Sequence, residues 1–317
     1  MRQERRKARS GPGSREASGV RRIPALSSPE SRAVSESAGM RRTPDASRAS
    51  DMQIDLSRAL NTAIQAARAV GTLMRRHRHR AKLASEVTQH DIKLELDVRA
   101  QKLIERALLS AFPKTALVGE EGVMGNTQAD CRWVVDPIDG TVNFAYGIPH
   151  SCVSIALQAR AKNLKRADYP DGYDTLAGVI YDPFCEELWT AIRGQPARLN
   201  GRIARVSRRR NLNEAIVSIG FAKSHESMEA TLPYFNRLVH RIRKIRMMGA
   251  AALALTYVAS GRFDAYIERG IRLWDIAAGG LILECAGGEF WHEAIEGEYA
   301  YRMIATNGLL RKKLGAV

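Results

Sequence analysis

Residues 133–144 have the sequence WVVDPIDGTVNF, a hydrophobic strand that runs into a turn with two carboxylates. Pro137 disfavours helical backbone at Asp136, so a tight turn can bring Asp136 and Asp139 to one point at the end of the strand. Hard cations such as Mg²⁺ prefer ligand sets made of oxygen atoms. Gly140 has no side chain, so its backbone N–H can approach an anion closely. The stretch therefore predicts a metal pair beside a phosphate-binding backbone, although Asp-Pro-x-Asp-Gly is also an ordinary turn sequence.

Two further acidic segments favour the metal interpretation over the turn alone. Residues 118–122, VGEEG, place Glu120 directly after a predicted strand. Residues 272–279, RLWDIAAG, place Asp275 at the start of a predicted helix, where a carboxylate could also simply cap the helix. Three acidic segments at the ends of separate elements indicate one shared site for cations.

Together these segments resemble the inositol monophosphatase family of Mg²⁺-dependent, lithium-sensitive sugar phosphatases, in both order and separation. The resemblance rests on Gly-Glu-Glu at 119–121, on Asp-Pro-Ile-Asp-Gly-Thr-x-Asn-Phe at 136–144 and on Trp-Asp-x-Ala-Ala-Gly at 274–279, and it extends over nearly all of residues 52–310. It implies a mixed α+β and α/β fold, the layered αβαβα sandwich shared with fructose-1,6-bisphosphatase. An α+β half to about residue 195 and an α/β half over about 196–317 would enclose the active site, in a chain that forms a homodimer.

The resemblance also implies a set of metal ligands. Glu120, Asp136 and the backbone carbonyl of Ile138 would hold a first Mg²⁺, while Asp136, Asp139 and Asp275 would hold a second. A weaker third ion would lie near Glu120, which gives two to three ions in all. Such paired ions clamp the attacking and leaving oxygens of an in-line displacement. Four carboxylates repel one another strongly without ions, so we expect a metal-free site to be partly disordered.

By the same resemblance, Thr141 and Asp97 are the catalytic residues, a hydrogen-bonded pair that orients the attacking water. Asp97 ends residues 91–97, DIKLELD, where Lys93 and Leu94 replace a Val-Thr pair that is usual in the family. The separation of the two aspartates in this segment agrees with the family pattern, so Asp97 keeps its expected role. The alternative interpretation, that Asp97 caps a helix predicted over residues 98–112, is compatible with this role.

Substrate recognition is expected at residues that line the metal site. Glu268 corresponds to the carboxylate that accepts hydrogen bonds from sugar or cyclitol hydroxyls, and Ala250 replaces a Ser or Thr whose hydroxyl would face the ring. A site that binds hydroxyl groups discriminates strongly between substrates, because unpaired buried polar groups are costly. The full substrate-binding set implied by the resemblance is Asp139, Gly140, Thr141, Gly249, Ala250, Ala251 and Glu268.

The expected activity is phosphomonoester hydrolysis of myo-inositol monophosphate or a similar polyol phosphate. Histidinol phosphate, fructose 1,6-bisphosphate and 3′-phosphoadenosine 5′-phosphate are rival substrates for the same chemistry. Asn143, where an acidic residue would indicate a nucleotidase, favours the inositol phosphatase branch. The alternative of another class is a protein that binds RNA or the transcription machinery through its basic tail and the cluster at residues 75–80, RRHRHR.

Composition sets the limits of these hypotheses. The chain has 317 residues, 45% of them hydrophobic, and a net charge of +15, which leaves ample material for a buried core. Residues 1–51 contain 12 Lys and Arg, 6 Asp and Glu, ten Ser and no aromatic residue, so they predict a disordered basic tail. This tail could be a nucleic-acid-binding arm, a transit peptide or a solvated extension ahead of a start at Met52. No apolar run suits a secretory signal or a membrane span, so we expect a cytoplasmic protein that binds a small phosphate ester and no membrane.

Periodicity predicts the remaining elements. Helices are expected over residues 55–75, 98–112, 250–260 and 276–285, and a long exposed loop over residues 161–175. The first helix would bury Leu56, Leu60, Ile64, Ala67, Val70 and Leu73, and the second would bury Val98, Leu103, Ala107 and Leu108. The seven histidines, His150 included, lack the spacing of metal ligands or general bases. The four widely separated cysteines predict buried, reduced thiols; they are Cys131, Cys152, Cys185 and Cys285.

Overall fold

The computed structural model describes residues 54–78, 84–87, 92–126, 128–163, 167–221 and 225–315, with residues 84–87 and 92–94 described as backbone only. The predicted disordered tail, residues 1–51, lies outside these ranges, as do residues 79–80 of the arginine-rich cluster. Within the described ranges, no helix combines the length and the apolar character needed to cross a lipid bilayer.

Helices account for much of the described chain. A 3₁₀ helix covers Leu212–Glu214. The α-helices are α1 (Leu56–His77), α2 (Glu95–Ala111), α3 (Thr141–Ala145), α4 (His225–Val239), α5 (Ala251–Ala259), α6 (Leu273–Cys285) and α7 (Arg311–Leu314).

The described strands form one small antiparallel pair and two larger sheets. The pair is β1 (Ala84–Val87) and β2 (Ile92–Leu94). The eight-stranded sheet has the order β10-β9-β8-β7-β6-β5-β3-β4 and contains β3 (Ala116–Gly119), β4 (Gly122–Met124), β5 (Cys131–Asp139), β6 (Cys152–Arg160), β7 (Tyr173–Asp182), β8 (Glu187–Ile192), β9 (Arg198–Leu199) and β10 (Arg202–Ile203). The five-stranded sheet has the order β12-β11-β13-β15-β14 and contains β11 (Ile216–Ile219), β12 (Lys244–Arg246), β13 (Ala265–Arg272), β14 (Glu289–Ala294) and β15 (Ala300–Thr306).

Alternation of side chains along β5 shows why the chain forms layers. Trp133 and Val135 pack with α1 and α2, whereas Val134 packs on the opposite face with α5 and α6. The same two helices cover one face of the five-stranded sheet, and α4 and α7 pack against its other face. The order of layers is helix, sheet, helix, sheet, helix. This arrangement confirms the predicted αβαβα sandwich.

Helix α1 has the predicted period but a different buried face. Ala67 and Val70 are buried as predicted, whereas Leu56, Leu60, Ile64 and Leu73 are half-buried at the edge of the same core and the small residues beside them lie deeper. The reason is the close approach of α1 to β7, since a Cβ at Gly71 would overlap the ring of Tyr181. The buried residues of α1 are Ala59, Ala63, Ala66, Ala67, Val70, Gly71 and Met74.

Helix α2 begins at Glu95, three residues earlier than expected. Its buried face runs through Leu96, Ala100, Ile104 and Leu108, at intervals of four residues. The prediction that Val98 packs inward is wrong, because Val98 lies off this face and is 37% exposed.

The predicted exposed loop over residues 161–175 is in fact partly buried. Tyr169 and Tyr173 have 3% and 2% of their surface exposed. The ring of Tyr169 stacks on that of His292, with centroids 4.7 Å apart. Asp171 pairs with the guanidinium of Arg132, with 2.6 Å between Oδ2 and Nη2. The described part of this segment therefore connects the two sheets instead of projecting into solvent.

All four cysteines are free thiols, as predicted, but they differ in exposure. Cys131 and Cys152 are buried, and Cys285 is half-buried. Cys185 lies in the turn between β7 and β8 and is exposed, so the prediction of burial is wrong for this residue.

Candidate active site

Three of the predicted metal-binding carboxylates converge in the structure. One oxygen from each of Asp136, Asp139 and Asp275 lies within 4.8 Å of the other two. Asp136 and Asp139 come from the end of β5 and are buried, with 2% and 6% of their surface exposed. Asp275 comes from the first turn of α6 and is half-buried. The structure thus brings together residues that are nearly 140 positions apart in the chain.

The charge at this point is strongly unbalanced. Burial raises the pKa of Asp136 well above its ordinary value, and the negative charges of Glu120, Asp139, Asp275 and Asp97 raise it further. All of the predicted acidic ligands therefore act on Asp136, and the predicted catalytic Asp97 does so as well. A cluster of this kind suits divalent cations, which offset the repulsion and accept oxygen ligands. The residues present fit the Mg²⁺ that the sequence predicts.

The start of α5 holds Asp139 in position. The backbone N–H of Ala251 donates to Oδ1 at 3.0 Å, and that of Ala252 donates to Oδ2 at 2.8 Å. The thiol of Cys152 also donates to Oδ2, at 3.5 Å. Burial raises the pKa of Asp139 to about 6, and these hydrogen bonds oppose the rise because they stabilise the carboxylate. Ala251, which the sequence assigns to substrate, therefore contacts a predicted metal ligand.

A bulge at the end of β5 turns the carboxylates toward one another. Pairing with β6 shifts between Asp136 and Asp139, where Pro137 cannot donate to the sheet. The N–H of Ile138 donates to Oδ1 of Asp136 at 3.0 Å. Gly140 follows in the left-handed region with a φ of 85°, a conformation that other residues rarely adopt. The predicted turn and the predicted metal site are thus the same local structure.

The hydroxyl of Thr141 donates to the carbonyl oxygen of Ile138 at 2.9 Å. This carbonyl is one of the predicted metal ligands, so Thr141 lies directly beside the predicted ions. Asp97 lies in the first turn of α2 and is only 2% exposed. It is the third residue of its helix and not the residue before it, so the alternative interpretation of Asp97 as the helix cap is wrong.

Asp275 has two structural roles. Its Oδ2 accepts the N–H of Arg272 at 2.9 Å, which caps α6. The same residue belongs to the carboxylate cluster, so capping and metal binding are compatible. The backbone carbonyl of the neighbouring Trp274 accepts a hydrogen bond from the hydroxyl of Ser154 at 3.1 Å. The ring of Trp274 packs against that of Tyr299. The bond to Ser154 on β6 anchors the start of α6 to the eight-stranded sheet and so helps to position Asp275.

Asn143 connects the loop after β5 to the segment before α5. Its Nδ2 donates to the carbonyl of His150 at 2.9 Å and to that of Met248 at 2.8 Å. A Cβ at Gly140 would lie 3.1 Å from Cβ of Ala250 and 3.2 Å from the carbonyl oxygen of Gly249. The predicted substrate-binding residues on these two segments are therefore immediate neighbours.

The ring of His150 is packed beside the site and does not extend into solvent. It lies edge-on to Tyr257, with centroids 5.8 Å apart, and burial lowers its pKa. Within the described chain, its Nε2 is buried without a hydrogen-bond partner. His150 thus serves the site through its backbone carbonyl.

Glu268 lies on β13, at the same end of the five-stranded sheet as the cluster. The hydroxyl of Tyr266 donates to its carboxylate. Burial raises the pKa of Tyr266, as do the charges of Glu268, Asp139 and Asp275. A Cβ at Gly220 would overlap the carboxylate of Glu268, so a side chain there would displace that carboxylate.

Some residues of the site escaped the sequence prediction. Gln101 is a buried residue of α2 whose Oε1 accepts the N–H of Glu121 at 3.0 Å and thereby shapes the loop around Glu120. Tyr266 and Gly220 act on Glu268, and Cys152 acts on Asp139. Among these residues, Gln101 alone carries a signal in the sequence, because it is a polar residue within a predicted helix. The other contacts depend on pairings between distant strands.

Known proteins share both the sequence and the fold of this chain. The family description that matches is the inositol monophosphatase family, over residues 55–313. The Nus factor SuhB of Pseudomonas aeruginosa is 41% identical over 234 residues, which cover 71% of this chain and 82% of that protein. The SuhB protein of Escherichia coli K12 is 36% identical over 230 residues, with the same coverage.

Solved structures agree with this assignment. The extragenic suppressor protein suhB of Bartonella henselae matches with a TM-score of 0.71 and 34% identity, over 81% of this chain and 96% of that one. An IMPase of Thermotoga maritima matches with a TM-score of 0.67 and 31% identity, over 80% and 94% of the two chains. With the matching motifs brought together at one acidic site, the chain belongs to the inositol monophosphatase family.

Proposed function

We propose that the chain is a Mg²⁺-dependent phosphomonoesterase that acts on small polyol or sugar phosphates. The observation that carries the proposal is the convergence of Asp136, Asp139 and Asp275, in which burial raises the pKa of both Asp136 and Asp139. Burying several carboxylates together is costly unless cations bind. A fold that maintains such a cluster is therefore built to hold metal ions.

Glu120, Asp136, Asp139, Asp275 and the carbonyl of Ile138 would hold two to three ions. Bound Mg²⁺ supplies Lewis acidity to the phosphate and lowers the pKa of the attacking water. The chain itself has to hold these ligands at fixed positions. The N–H groups that reach Asp139 from α5 and the capping bond of Asp275 perform this task.

Thr141 and Asp97 would orient the water. Because the hydroxyl hydrogen of Thr141 is already donated to the carbonyl of Ile138, its oxygen is left to accept a hydrogen bond. A water molecule that donates to Oγ1 would be fixed beside the predicted ions, with a lone pair directed at phosphorus. The carboxylate of Asp97, which acts on Asp136 through its charge, would increase the basicity of this arrangement.

Substrate hydroxyls would be bound on the other side of the site. Glu268 is a hydrogen-bond acceptor that the hydroxyl of Tyr266 holds in place. The charges of Glu268, Asp139 and Asp275 all raise the pKa of Tyr266, so Glu268 lies near the cluster. Carboxylates accept several hydrogen bonds and select polyhydroxylated substrates. The methyl group of Ala250 presents no donor here, so ring contacts at this position would come from the backbone of Gly249, Ala250 and Ala251.

Myo-inositol monophosphate is the leading substrate within this proposal. Histidinol phosphate, fructose 1,6-bisphosphate and 3′-phosphoadenosine 5′-phosphate are the rivals. Lithium sensitivity, a homodimeric state and a cytoplasmic location are further parts of the proposal. They are supported by membership of the family, which the chain matches over residues 55–313.

The test is phosphate release by the full chain on a panel of these four esters, with and without Mg²⁺ and Li⁺. We expect Mg²⁺-dependent, Li⁺-inhibited turnover of one ester, which Asp136→Asn abolishes. Asp130→Asn is the matched control, because Asp130 is exposed and lies outside the cluster. No turnover of any ester by a folded, Mg²⁺-binding protein would refute the proposal.

A second candidate is a binding function, and the name Nus factor of the bacterial relatives favours it. The sequence suggests the arginine cluster at residues 75–80 as its surface. However, Arg75 donates to the hydroxyl of Tyr181 at 3.0 Å and to the carbonyl of Pro183 at 3.1 Å, and Arg78 lies over the ring of Phe184. These two side chains attach α1 to the turn after β7. Arg75 also pairs with Glu186, with 3.7 Å between Nη1 and Oε1, whereas Arg76 of the same cluster is exposed.

A further inference from the structure

Tyr299 has a backbone conformation that a bulky residue rarely adopts. It lies in the turn that joins β14 to β15, and its φ is 50°. This left-handed region is uncommon for residues other than glycine, because Cβ crowds the following carbonyl oxygen. Backbone strain of this kind persists only where the surrounding structure maintains it. The contacts of Tyr299 therefore indicate what the turn does.

The turn that contains Tyr299 packs on the start of α6. The backbone carbonyl of Tyr299 accepts the N–H of Leu273 at 3.0 Å, and its ring centroid lies 6.2 Å from that of Trp274. The guanidinium of Arg272 donates to the backbone carbonyl that precedes Tyr299 in the turn. One turn therefore contacts each of the residues that lead into Asp275.

Asp275 depends on such contacts more than the other two carboxylates of the cluster do. Asp136 and Asp139 both lie on β5, so their relative position is set locally. Asp275 reaches them from the first turn of α6. Its bond with the N–H of Arg272 orients the side chain relative to α6 alone. The position of the helix start relative to β5 has to come from contacts outside α6.

The segment between β6 and β7 also reaches this turn. Asp171 in that segment pairs with the buried guanidinium of Arg132, with 2.6 Å between Oδ2 and Nη2. Burial raises the pKa of Tyr299, while the charge of Arg132 lowers it and that of Asp171 raises it, so the ring lies beside this ion pair. Tyr169 of the same segment stacks on His292 of β14. The segment thus contacts the strand before the turn and lies beside the strained residue within it.

Other residues with a positive φ lack these surroundings. In the described part of the chain, Glu186 and Asn200 are the other such residues besides glycine, with φ values of 54° and 48°. Both are exposed, and asparagine adopts this conformation more readily than most residues. Tyr299 is bulky, half-buried and packed against the helix that bears Asp275. Since glycine would suit the backbone better, the contacts of the ring account for a tyrosine at this position.

We propose that Tyr299 is a positioning residue for Asp275, and that Asp171 supports it. The ring and the carbonyl of Tyr299 together fix the start of α6, so that Asp275 stays within reach of the other two carboxylates. Groups that orient metal ligands without touching the metal commonly change metal affinity by about 10- to 100-fold. The inference rests on the proposed function, because it takes Asp275 as a ligand of Mg²⁺.

The test is the Mg²⁺ affinity of the full chain by isothermal titration calorimetry, with and without the substitution Tyr299→Gly. Glycine adopts a positive φ without strain, so a loss of affinity reports on the ring and not on the backbone. We expect the affinity to fall by about tenfold, and phosphate release to need correspondingly more Mg²⁺. Tyr299→Phe keeps the ring and should retain the affinity to within about threefold. Glu186→Gly is the matched control, because it also relieves a positive φ in a turn and should leave the affinity unchanged.

A double-mutant cycle tests the role of Asp171. Asp171→Asn removes the charge that pairs with Arg132 and should lower the Mg²⁺ affinity by about threefold. Residues of one network have non-additive effects, so Asp171→Asn should cause little further loss in the Tyr299→Gly chain. Asp174→Asn is the matched control, since Asp174 accepts the N–H of Asp168, at 2.8 Å, through an oxygen that asparagine retains.

Equal Mg²⁺ affinity of the unsubstituted chain and Tyr299→Gly would overturn the inference and leave the proposed function intact. Equal losses in Tyr299→Gly and Glu186→Gly would also overturn it, because flexibility of a turn would then explain the loss. Fully additive effects in the double-mutant cycle would refute the role of Asp171. Absence of Mg²⁺ binding by the unsubstituted chain would refute the proposed function, and the inference with it. Melting in EDTA confirms that each variant is folded. If Tyr299→Gly is unfolded, Tyr299→Asn, which also tolerates a positive φ, should show the same loss.

Discussion

The carboxylate cluster and the basic surface that Arg237, Arg241 and Lys313 form at the end of α4 and on α7 both concentrate charges of one sign, yet they differ in their contact with water. Asp136 and Asp139 are buried, and desolvation is the largest cause of the raised pKa at each. Arg237, Arg241 and Lys313 are exposed, so water and salt screen their repulsion. Repulsion between like charges therefore costs more free energy in the buried cluster than on the exposed surface. Burial, more than the number of charges, determines how strongly a region requires its counterion.

The difference also predicts the kind of ligand. A buried cluster with converging oxygens selects a small, dehydrated divalent cation held at fixed distances. A dispersed, exposed surface gains little from one ion and binds a polyanion by many weak contacts. The experiments below test this contrast, in order of decreasing expected effect.

The largest effect is expected for Asp139→Asn. Both oxygens of Asp139 accept N–H groups from the start of α5. Asparagine has one acceptor oxygen, so its NH₂ would face an N–H donor, and a metal ligand would also lose its charge. Phosphate release should fall by about a thousandfold or more, as for loss of a group that acts on the transition state. Retention of more than a tenth of the activity would show that this carboxylate is not a ligand. Asp130→Asn is again the control.

Asn143→Ala tests whether the cluster depends on contact between distant segments. It removes two hydrogen bonds to backbone carbonyls, those of His150 and Met248. We expect a loss of about 2 to 3 kcal/mol in the free energy of unfolding, together with weaker Mg²⁺ binding by calorimetry. Asn211→Ala is the control, since the side chain of Asn211 makes no capping bond. An unchanged affinity for Mg²⁺ would mean that the cluster is organised by the loop after β5 alone.

The contrast between local and distant contacts also describes what the sequence could predict. Asp136, Asp139 and Gly140 lie in one short segment whose turn chemistry is local, so their geometry followed from residue types. The layered fold and the convergence with Asp275 followed from the family resemblance. The N–H groups of Ala251 and Ala252 that hold Asp139 have no side-chain signature, and the Tyr266–Glu268 contact depends on where β13 ends relative to the cluster. Such contacts become visible only in three dimensions.

Errors in the core had a similar origin. The helical period of α1 was correct, but the buried face shifted toward alanines because α1 packs closely on β7 beside Tyr181. Val98 was placed inside, but the buried face of α2 runs through Leu96, Ala100 and Ile104. Tyr169 stacks on His292 of the other sheet. The polar residues around Tyr169 in the sequence gave no indication of this contact. Periodicity identifies an element, whereas its neighbours determine its face.

His292→Phe extends the comparison to a titratable group that is packed among aromatic rings. His292 packs among the rings of Tyr169, Phe290 and Tyr301, and burial lowers its pKa to about 4. The unfolded chain therefore binds a proton at higher pH than the folded chain, so stability falls as the pH drops from about 6.5 to about 4. In the phenylalanine variant, the free energy of unfolding should fall by about 1 to 2 kcal/mol less over this pH range than in the unsubstituted chain. Chemical denaturation at both pH values measures it, with His225→Phe at an exposed position as the control. Equal pH dependence in the variant and the unsubstituted chain would contradict the account.

Tyr266→Phe tests the contact that places Glu268. The change removes one hydroxyl from a buried ring and leaves the metal ligands intact. We expect KM to rise about fivefold, in line with one hydrogen bond to a charged group, while kcat changes less. Tyr301→Phe, on a neighbouring strand, is the matched control. A fall in kcat with unchanged KM would instead place Glu268 in the chemical step.

The smallest effect on stability is expected at the exposed region. Neutralising Arg237 and Arg241 with glutamine should change the free energy of unfolding by no more than about 0.5 kcal/mol for each residue. Thermal melts at low and high salt provide the measurement. A large stabilisation at low salt would show that this surface is as strained as the buried cluster, and the proposed contrast would fail.

If the carboxylate cluster is incomplete without cations, the melting temperatures of the full chain and of Asp136→Asn, each measured in EDTA and in Mg²⁺, should differ in a defined way. Asparagine keeps the Oδ1 that accepts the N–H of Ile138 but removes the charge that the surrounding carboxylates repel. The account predicts that Asp136→Asn melts at a higher temperature than the unsubstituted chain in EDTA, and that only the unsubstituted chain gains markedly from Mg²⁺. A variant that is less stable in EDTA and still stabilised by Mg²⁺ would contradict the account.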